Sequence, residues 1–392
     1  MKARKIVDNV YWMGAIDWNR RLFDSLVPLP DGTSYNAYLV RGSEKTALLD
    51  TVDPTMVDVL MEQLRDVSKL DYVVAHHAEQ DHSGALPAVL DKYPEAKIVT
   101  NAKARDMLVD LLLLPEERFQ LVSDGDVLSL GNLHLQFVLT PWVHWPETMS
   151  TYLPERKILF TCDFFGSHLA TSDLYAVDRA RVYEAAKLYY AEIMMPYAKQ
   201  ITKNLDKVAN LDIDIIAPSH GPIYDDPQFI VEAYREWVHG APKNYVVIPY
   251  VSMHGSVDKM VAHLVAALTE RGVRVQQYEL TVTDIGKLAM SLVDAATVIF
   301  ATPTVLAGPH PLVAYAGVLA NALRPKAKFA GIIGSYGWSG KPIEQVGNLV
   351  PSLKAETFEP VLCKGHPRQE HFDALDRLAD AIAAKHRELG LE

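Results

Sequence analysis

The sequence predicts an α/β protein in two parts: a strand-rich α/β sandwich over residues 1–242 and a doubly wound parallel sheet over residues 243–392. Three observations carry this. At 392 residues the chain is too long for one ordinary core. Its first part runs through many short apolar strands before strands and helices mix, which fits a four-layer sandwich of two sheets between helices. Its second part alternates strand and helix strictly, the pattern of a parallel sheet covered on both faces.

In the first part, residues 10–13 form a strand, and residues 35–41 and 45–50 form a hairpin around Gly42-Ser43. Residues 54–67 carry apolar side chains at Met56, Val57, Leu60, Met61 and Leu64, a single helical stripe. A short buried strand follows at 72–75, then a helix near 85–92 and a strand at 96–100. Asn101 caps a helix running to about 114. Strands are expected at 121–122, 127–130, 133–139 and 158–161. A helix follows over 182–195, and another strand at 213–217. The pattern resets around Gly240-Ala241-Pro242-Lys243. Beyond it, strands at 245–250, 273–280, 297–301, 329–333 and 358–362 alternate with helices near 257–270, 284–293, 311–322, 341–350 and from about 370 onward.

Composition narrows the function classes. Apolar residues make up 49% and charged residues 22%, as in ordinary globular proteins. The net charge of −11 argues against nucleic acid as the main partner. No apolar run is long enough to span a bilayer. The basic start at Lys2-Ala3-Arg4-Lys5 has no apolar segment behind it, so no secretory signal is expected. Two cysteines, Cys162 and Cys363, make neither a disulfide framework nor a metal knuckle, and a cytoplasmic location is expected.

The densest chemical signal is His77-Ala78-Glu79-Gln80-Asp81-His82-Ser83-Gly84, directly after the strand at 72–75. Two imidazoles and two carboxylates within six residues at a strand end suit metal ligation better than a plain polar turn. Three further strand ends offer ligand types: His144, Asp163 and His220. A lone histidine such as His144 is more often structural. Seven candidates at one kind of topological position are not readily a coincidence, and they suit two ions sharing a bridging carboxylate, with Asp163 the leading bridge. His76 is expected beside the site and not as a ligand.

The spacing is His-x-Glu-x-Asp-His, 61 residues to His144, 18 more to Asp163 and 56 more to His220. It resembles the metallo-β-lactamase superfold and, more narrowly, the flavodiiron proteins (A-type flavoproteins). Three further segments are similar to that family: residues 32–39 (Gly-Thr-Ser-Tyr-Asn-Ala-Tyr-Leu), residues 144–149 (His-Trp-Pro-Glu-Thr-Met) and residues 218–222 (Pro-Ser-His-Gly-Pro). The resemblance covers essentially the whole chain. It implies a metallo-β-lactamase-like αββα domain and a flavodoxin-like domain. It also implies one iron on His77, Glu79 and His144, a second on Asp81, His82 and His220, and Asp163 between them. Zinc hydrolases of the superfold carry histidine where this chain has Glu79. A hard carboxylate oxygen there moves preference from zinc toward iron and stabilises the ferric state.

In the second part, Ser252-Met253-His254-Gly255-Ser256-Val257 follows the first strand and opens a helix. Free amides and the helix dipole make such a loop an anion site, although a plain strand–helix turn explains it equally well. It is neither a dinucleotide fingerprint nor a Walker loop. Two more loops complete the pattern: Pro303-Thr304-Val305-Leu306-Ala307 and Ser335-Tyr336-Gly337-Trp338-Ser339-Gly340. Both sit where flavodoxin-like domains contact the isoalloxazine, and the second resembles the family's Gly-Ser-Tyr-Gly-Trp segment. The resemblance thus implies FMN. Two positions depart from the family pattern. Val257 replaces a threonine, and Asp24, after Phe23, stands where many members have histidine.

The expected activity is that of a flavodiiron oxidoreductase, which reduces O2 to water, NO to N2O, or both, with electrons passed from FMN to the irons. Tyr189 or Tyr190 would line the pocket, although helix packing explains both equally well. The resemblance implies a head-to-tail homodimer or a dimer of dimers. The chain ends just after the last predicted helix, so a separate electron donor is expected: rubredoxin first, a reduced deazaflavin (F420H2) second. Two rival readings are a zinc hydrolase of the lactamase superfold and an FMN electron carrier or sensor with a vestigial metal site.

Overall fold

A computed structural model describes residues 2–339, 350 and 353–391. By contacts the chain forms two compact units, Met1–Tyr189 with Tyr197–Val238, and Tyr190–Pro196 with His239–Glu392.

The first unit holds two sheets. One has seven strands in the order Arg4–Val7, Val10–Trp12, Tyr38–Arg41, Thr46–Leu49, Tyr72–Val74, Lys97–Thr100 and Phe119–Leu121. It is antiparallel as far as Thr46–Leu49 and parallel from there on. The other has five strands, Val127–Ser129, His134–Leu139, Met149–Leu153, Ile158–Cys162 and Ile215–Pro218, of which the last pair is parallel. Alternate residues of the central strands face opposite layers. Leu49, Tyr72, Val74 and Val99 meet Phe137, Met149, Leu153 and Phe160 of the second sheet. Leu48, Val73 and Ile98 face outward onto helices through Leu60, Leu64, Leu86, Val89 and Leu108. Both faces are thereby buried, which is why these strands read as unbroken apolar runs.

Local chemistry trims several predicted elements. The helix expected over 54–67 is a 3-10 turn, Pro54–Met56, followed by an α-helix, Val57–Gln63. Asp53 accepts from the Thr55 amide at 2.8 Å and Pro54 follows it, a combination that tightens the first turn. Asn101 caps Ala102–Leu112 through the Ala104 amide at 3.1 Å, as expected. The helix expected over 182–195 is an α-helix, Arg179–Tyr189, that widens into a π turn, Tyr190–Met194, and then tightens at Met195–Tyr197.

The second unit is a parallel sheet in the order Arg274–Glu279, Lys243–Tyr250, Ala295–Val305, Phe329–Tyr336, then Glu356–Thr357 and Val361–Lys364. This is the 2-1-3-4-5 order of flavodoxin-like folds. The strand predicted at 358–362 is instead two short pieces flanking Pro360, which has no amide to give the ladder. Helices Ser256–Glu270 and Gln369–Glu388 cover one face through Met260, Leu264, Leu268, Leu375, Leu378 and Ile382. The helix predicted near 341–350 and the candidate Gly340 lie outside the described residues. No helix among the described residues is long and apolar enough to cross a membrane.

Candidate functional site

The seven candidate ligands all come from segments that follow strands of the first unit. His77 stands three residues beyond Tyr72–Val74. Glu79 precedes a single helical turn, Gln80–Ser83, and that turn swings Asp81 and His82 to one side. His144 comes from the loop between His134–Leu139 and Met149–Leu153. Asp163 follows Ile158–Cys162, whose ladder slips register between Phe160 and Cys162 while Cys162 takes φ of 52°. Such a bulge re-aims the next side chain. His220 follows Ile215–Pro218 and is succeeded by Gly221 at φ 77°, where a Cβ would lie 2.0 Å from Ser167 Oγ.

The side chains converge as two groups, His77–Glu79–His144–Asp163 and Asp81–His82–His220. Asp163 faces both. Its Oδ2 lies 3.4 Å from His77 Nε2 and 3.5 Å from His144 Nε2. Its Oδ1 lies 3.0 Å from His82 Nε2 and 3.4 Å from His220 Nε2. Glu79 Oε2 is 3.0 Å from both His77 Nε2 and His144 Nε2. Asp81 Oδ2 is 3.2 Å from His82 Nε2 and 3.1 Å from His220 Nε2.

These short distances are not all hydrogen bonds. Both oxygens of Asp81 and of Asp163 and both ring nitrogens of His82 are buried without a hydrogen-bond partner. Buried polar atoms left in that state are costly. In each group one ligand atom from every side chain lies within 4.8 Å of the others, close enough to share a cation. The donor set of imidazole and carboxylate fits iron or zinc.

The outer contacts fix which nitrogen faces inward. The Ser34 carbonyl accepts from His220 Nδ1 at 2.7 Å. A carbonyl only accepts, so Nδ1 carries a hydrogen and Nε2 is the nitrogen turned toward Asp81 and Asp163. Glu147 Oε1 does the same for His77 Nδ1 at 2.7 Å and also accepts from the Ala78 amide at 3.0 Å. His76, one residue earlier, faces the opposite way, between Asp50 Oδ2 and Thr151 Oγ1, each at 2.7 Å. It is a buried structural histidine.

Electrostatics match this arrangement. Burial opposes charge on His220, but close polar contacts with Asp163 and Asp81 outweigh it and raise the ring to about 10. Burial likewise opposes ionisation of Asp163, yet His82, His220 and His77 hold it well below the usual carboxylate range. Glu79 is lowered in the same way, burial being overcome by His144 and His77. Three carboxylates, Glu79, Asp81 and Asp163, thus converge with four imidazoles, and Glu79 and Asp163 are held in the anionic form that a cation would meet.

Of the two candidate tyrosines, the structure puts only Tyr189 at this centre. Its ring lies 4.8 Å from His168 and 5.8 Å from His220. Burial and the neighbouring Asp163 charge raise its hydroxyl well above the ordinary value. Tyr190 opens the π turn, which belongs by contacts to the other unit.

Sequence reasoning missed His168. It lies 4.8 Å from His220, bonds Thr33 Oγ1 at 2.9 Å and is driven well below its ordinary pKa by burial and by His220. It therefore puts a neutral imidazole beside the centre. Asp24 stands at the rim, raised to about 6 by partial burial and the Glu79 charge. Phe23 packs on His168 at 5.4 Å.

In the second unit the three candidate loops lie at the carboxyl ends of the parallel strands. Ser252 Oγ accepts from the Asp258 amide at 3.2 Å. Gly255, at φ 78°, caps Ser256–Glu270, and the region its Cβ would enter is open. The first-turn amides of Ser256 and Val257 head this helix. Pro303 pairs with Ser335, and Thr304 Oγ1 donates to the Ser339 carbonyl at 3.4 Å, so the second and third loops are neighbours. Leu306 and Ala307 make a two-residue hairpin turn with both φ positive. Trp338 is 86% exposed and Leu306 90%, so neither is a core residue. Met253 is partly exposed.

A family model described as "ODP family beta lactamase" matches residues 33–221. A nitric oxide reductase of Moorella thermoacetica is 37% identical over 391 residues, covering 97% of this chain and 98% of that protein. A coenzyme F420H(2) oxidase of Methanothermobacter marburgensis is 33% identical, covering 98% and 99%. The chain belongs to the flavodiiron proteins. Among solved structures, the rubredoxin oxygen:oxidoreductase of Desulfovibrio gigas superposes with a TM-score of 0.95 at 32% identity, covering 99% of both chains. The flavodiiron protein of Giardia intestinalis gives 0.91 at 28% identity, covering 98% of both. Flavodiiron proteins are oxidoreductases. Both expected folds, the lactamase-like sandwich and the flavodoxin-like sheet, stand with this membership.

Proposed function

We propose that this flavodiiron protein reduces O2 to water, NO to N2O, or both, using an FMN and a pair of non-haem irons. The observation that carries the reading is Asp163, whose two carboxylate oxygens each face a different pair of imidazoles. His77, Glu79 and His144 would hold one iron, and Asp81, His82 and His220 the other, with Asp163 shared. FMN would be held by the loops at 252–257, 303–307 and 335–340, with the phosphate toward the amides that head Ser256–Glu270. When bound, these groups supply the electrons: four, with four protons, for O2 going to two waters, or two, with two protons, for two NO going to N2O and water.

The chain's own residues orient and shield. Glu147 and the Ser34 carbonyl fix the ring faces of His77 and His220. Phe23, Tyr189 and His168 pack around the second histidine group and limit the water that reaches it. Tyr189 keeps its proton, because burial and Asp163 both disfavour the phenolate. It therefore offers an O–H beside the centre.

Residues 1–242 would form the iron-binding domain and 243–392 the FMN-binding domain. The fuller assembly would be a head-to-tail homodimer or a dimer of such dimers. A rubredoxin would supply electrons, with F420H2 as the alternative donor, in keeping with the names of the relatives. A cytoplasmic setting agrees with two buried, unpaired cysteines.

The deciding experiment quantifies iron, zinc and FMN in the purified protein and follows O2 and NO consumption with a reduced rubredoxin. Two irons and one FMN per chain, with donor-dependent uptake of either gas, is the expected result. Zinc without iron, coupled to ester or lactam hydrolysis, would replace the reading with a hydrolase. Full cofactor loading without gas uptake would leave an electron carrier.

A further inference from the structure

We propose that His366 is a binding residue of the flavin site, holding its phosphate end and standing in for the hydroxyl that this chain lacks at position 257. The inference rests on the FMN reading above.

Val257 is 1% exposed and packs with Met260, Val261 and Leu264 in the core beneath Ser256–Glu270. Both of its γ-carbons are apolar, so the residue offers the anion-binding end its amide and no hydroxyl. Ser256 Oγ is the first-turn hydroxyl of this loop, since Ser252 lies four residues before it, where its Oγ accepts from the Asp258 amide.

His366 approaches that hydroxyl from a distant part of the chain. Its Nδ1 lies 3.3 Å from Ser256 Oγ. Two contacts set the loop that carries it. The Gly365 amide donates to the Tyr336 carbonyl at 2.9 Å, which ties the loop to one of the flavin segments. Gly365 takes φ of 73°, and that turn leads the chain back to His366. The imidazole therefore stands at the meeting point of the phosphate loop and the loop bearing Tyr336. It is exposed, which leaves its second nitrogen free of packing.

The chemistry follows from the inventory of donors. A ring that donates from Nδ1 to Ser256 Oγ leaves the serine hydrogen free to point at a phosphate oxygen. In the other tautomer Ser256 Oγ donates to Nδ1, and Nε2 brings its hydrogen to a rim otherwise made of backbone amides. Either arrangement favours a phosphate ester over the same flavin without one.

The test uses the full chain with metals retained and flavin removed, titrated with FMN and with riboflavin by fluorescence quenching. Wild type should bind FMN at one per chain and more tightly than riboflavin. His366→Ala should weaken FMN about tenfold, the scale of one hydrogen bond to a charged group, and change riboflavin less than twofold. Adding Val257→Thr to His366→Ala should recover at least threefold of the FMN loss. Equal weakening of both flavins would make His366 a structural residue and overturn the inference, as would unchanged FMN affinity or no recovery in the double variant. If wild type binds neither flavin, the FMN reading itself fails, and the inference with it.

Discussion

Replacing Glu147 should separate the two halves of the proposed metal centre. Its carboxylate is buried and accepts two hydrogen bonds through one oxygen, from His77 Nδ1 and from the Ala78 amide. Glu147→Gln keeps an acceptor there but removes the charge that makes the His77 ring a stronger ligand. Glu147→Ala leaves two buried donors without partners, each costing about 1–3 kcal/mol. Outer partners of metal histidines typically govern affinity by about 10- to 100-fold. We expect Glu147→Gln at about tenfold and Glu147→Ala at about 100-fold weaker binding at the His77 position. The other position should hold its affinity, since His220 is oriented by the Ser34 carbonyl and not by Glu147. Iron per chain is measured after dialysis against a graded chelator, with circular dichroism confirming the fold. The variants should release one iron at low chelator and the second where wild type does. Loss of both irons in step, or of neither, would refute the assignment of Glu147 to one half of the centre.

Three other outcomes are expected. Glu79→His should raise the ratio of bound zinc to iron, measured by mass spectrometry of protein grown with both metals; an unchanged ratio would count against the carboxylate argument. Tyr189→Phe should lower gas turnover about tenfold with iron and FMN content intact, since only an O–H is removed; full turnover would make Tyr189 a packing residue. His386 is held at about 4 by burial, between Thr297 Oγ1 and Asn244 Oδ1. Its folded pKa lies below the unfolded 6.5, so the unfolded chain binds more protons between those values. Stability from this group is full above pH 6.5 and is lost as pH falls toward 4, at most about 3 kcal/mol at 1.36 kcal/mol per pH unit. Urea unfolding of wild type and His386→Gln at pH 7 and pH 5 should show a smaller pH dependence in the variant.

The candidate metal ligands were legible because the four contributing features are local: a six-residue motif and three lone ligand types just after apolar strands. Their outer partners were not. Glu147 sits inside a segment that the sequence already marked as similar to the family, yet its bond to His77 spans 70 positions and depends on how two sheets stack. His168 carries no motif and becomes recognisable only when Phe23, Tyr189 and His220 close around it. The choice between Tyr189 and Tyr190 needed the tertiary contacts, because both are buried and only the rings of His168 and His220 beside Tyr189 tell them apart. His366 lies in no segment that resembles a flavin loop, and its contact with Ser256 spans 110 positions. In the second unit the strand–helix alternation was plain, and Pro360 explains the one strand that broke in two.

The seven metal-centre side chains come from four places along the chain, with the first and last being His77 and His220. Filling both positions would therefore cross-link four loops through one shared carboxylate, much as a pair of disulfides would. Closing such long loops is entropically costly for the unfolded chain, and any group that binds only after closure adds its binding free energy to folding. Iron supply would then act as a folding resource as well as a catalytic one. Copies made in iron-poor cells would open first at the segments around His144 and His220, and a protease would record that history as cuts there.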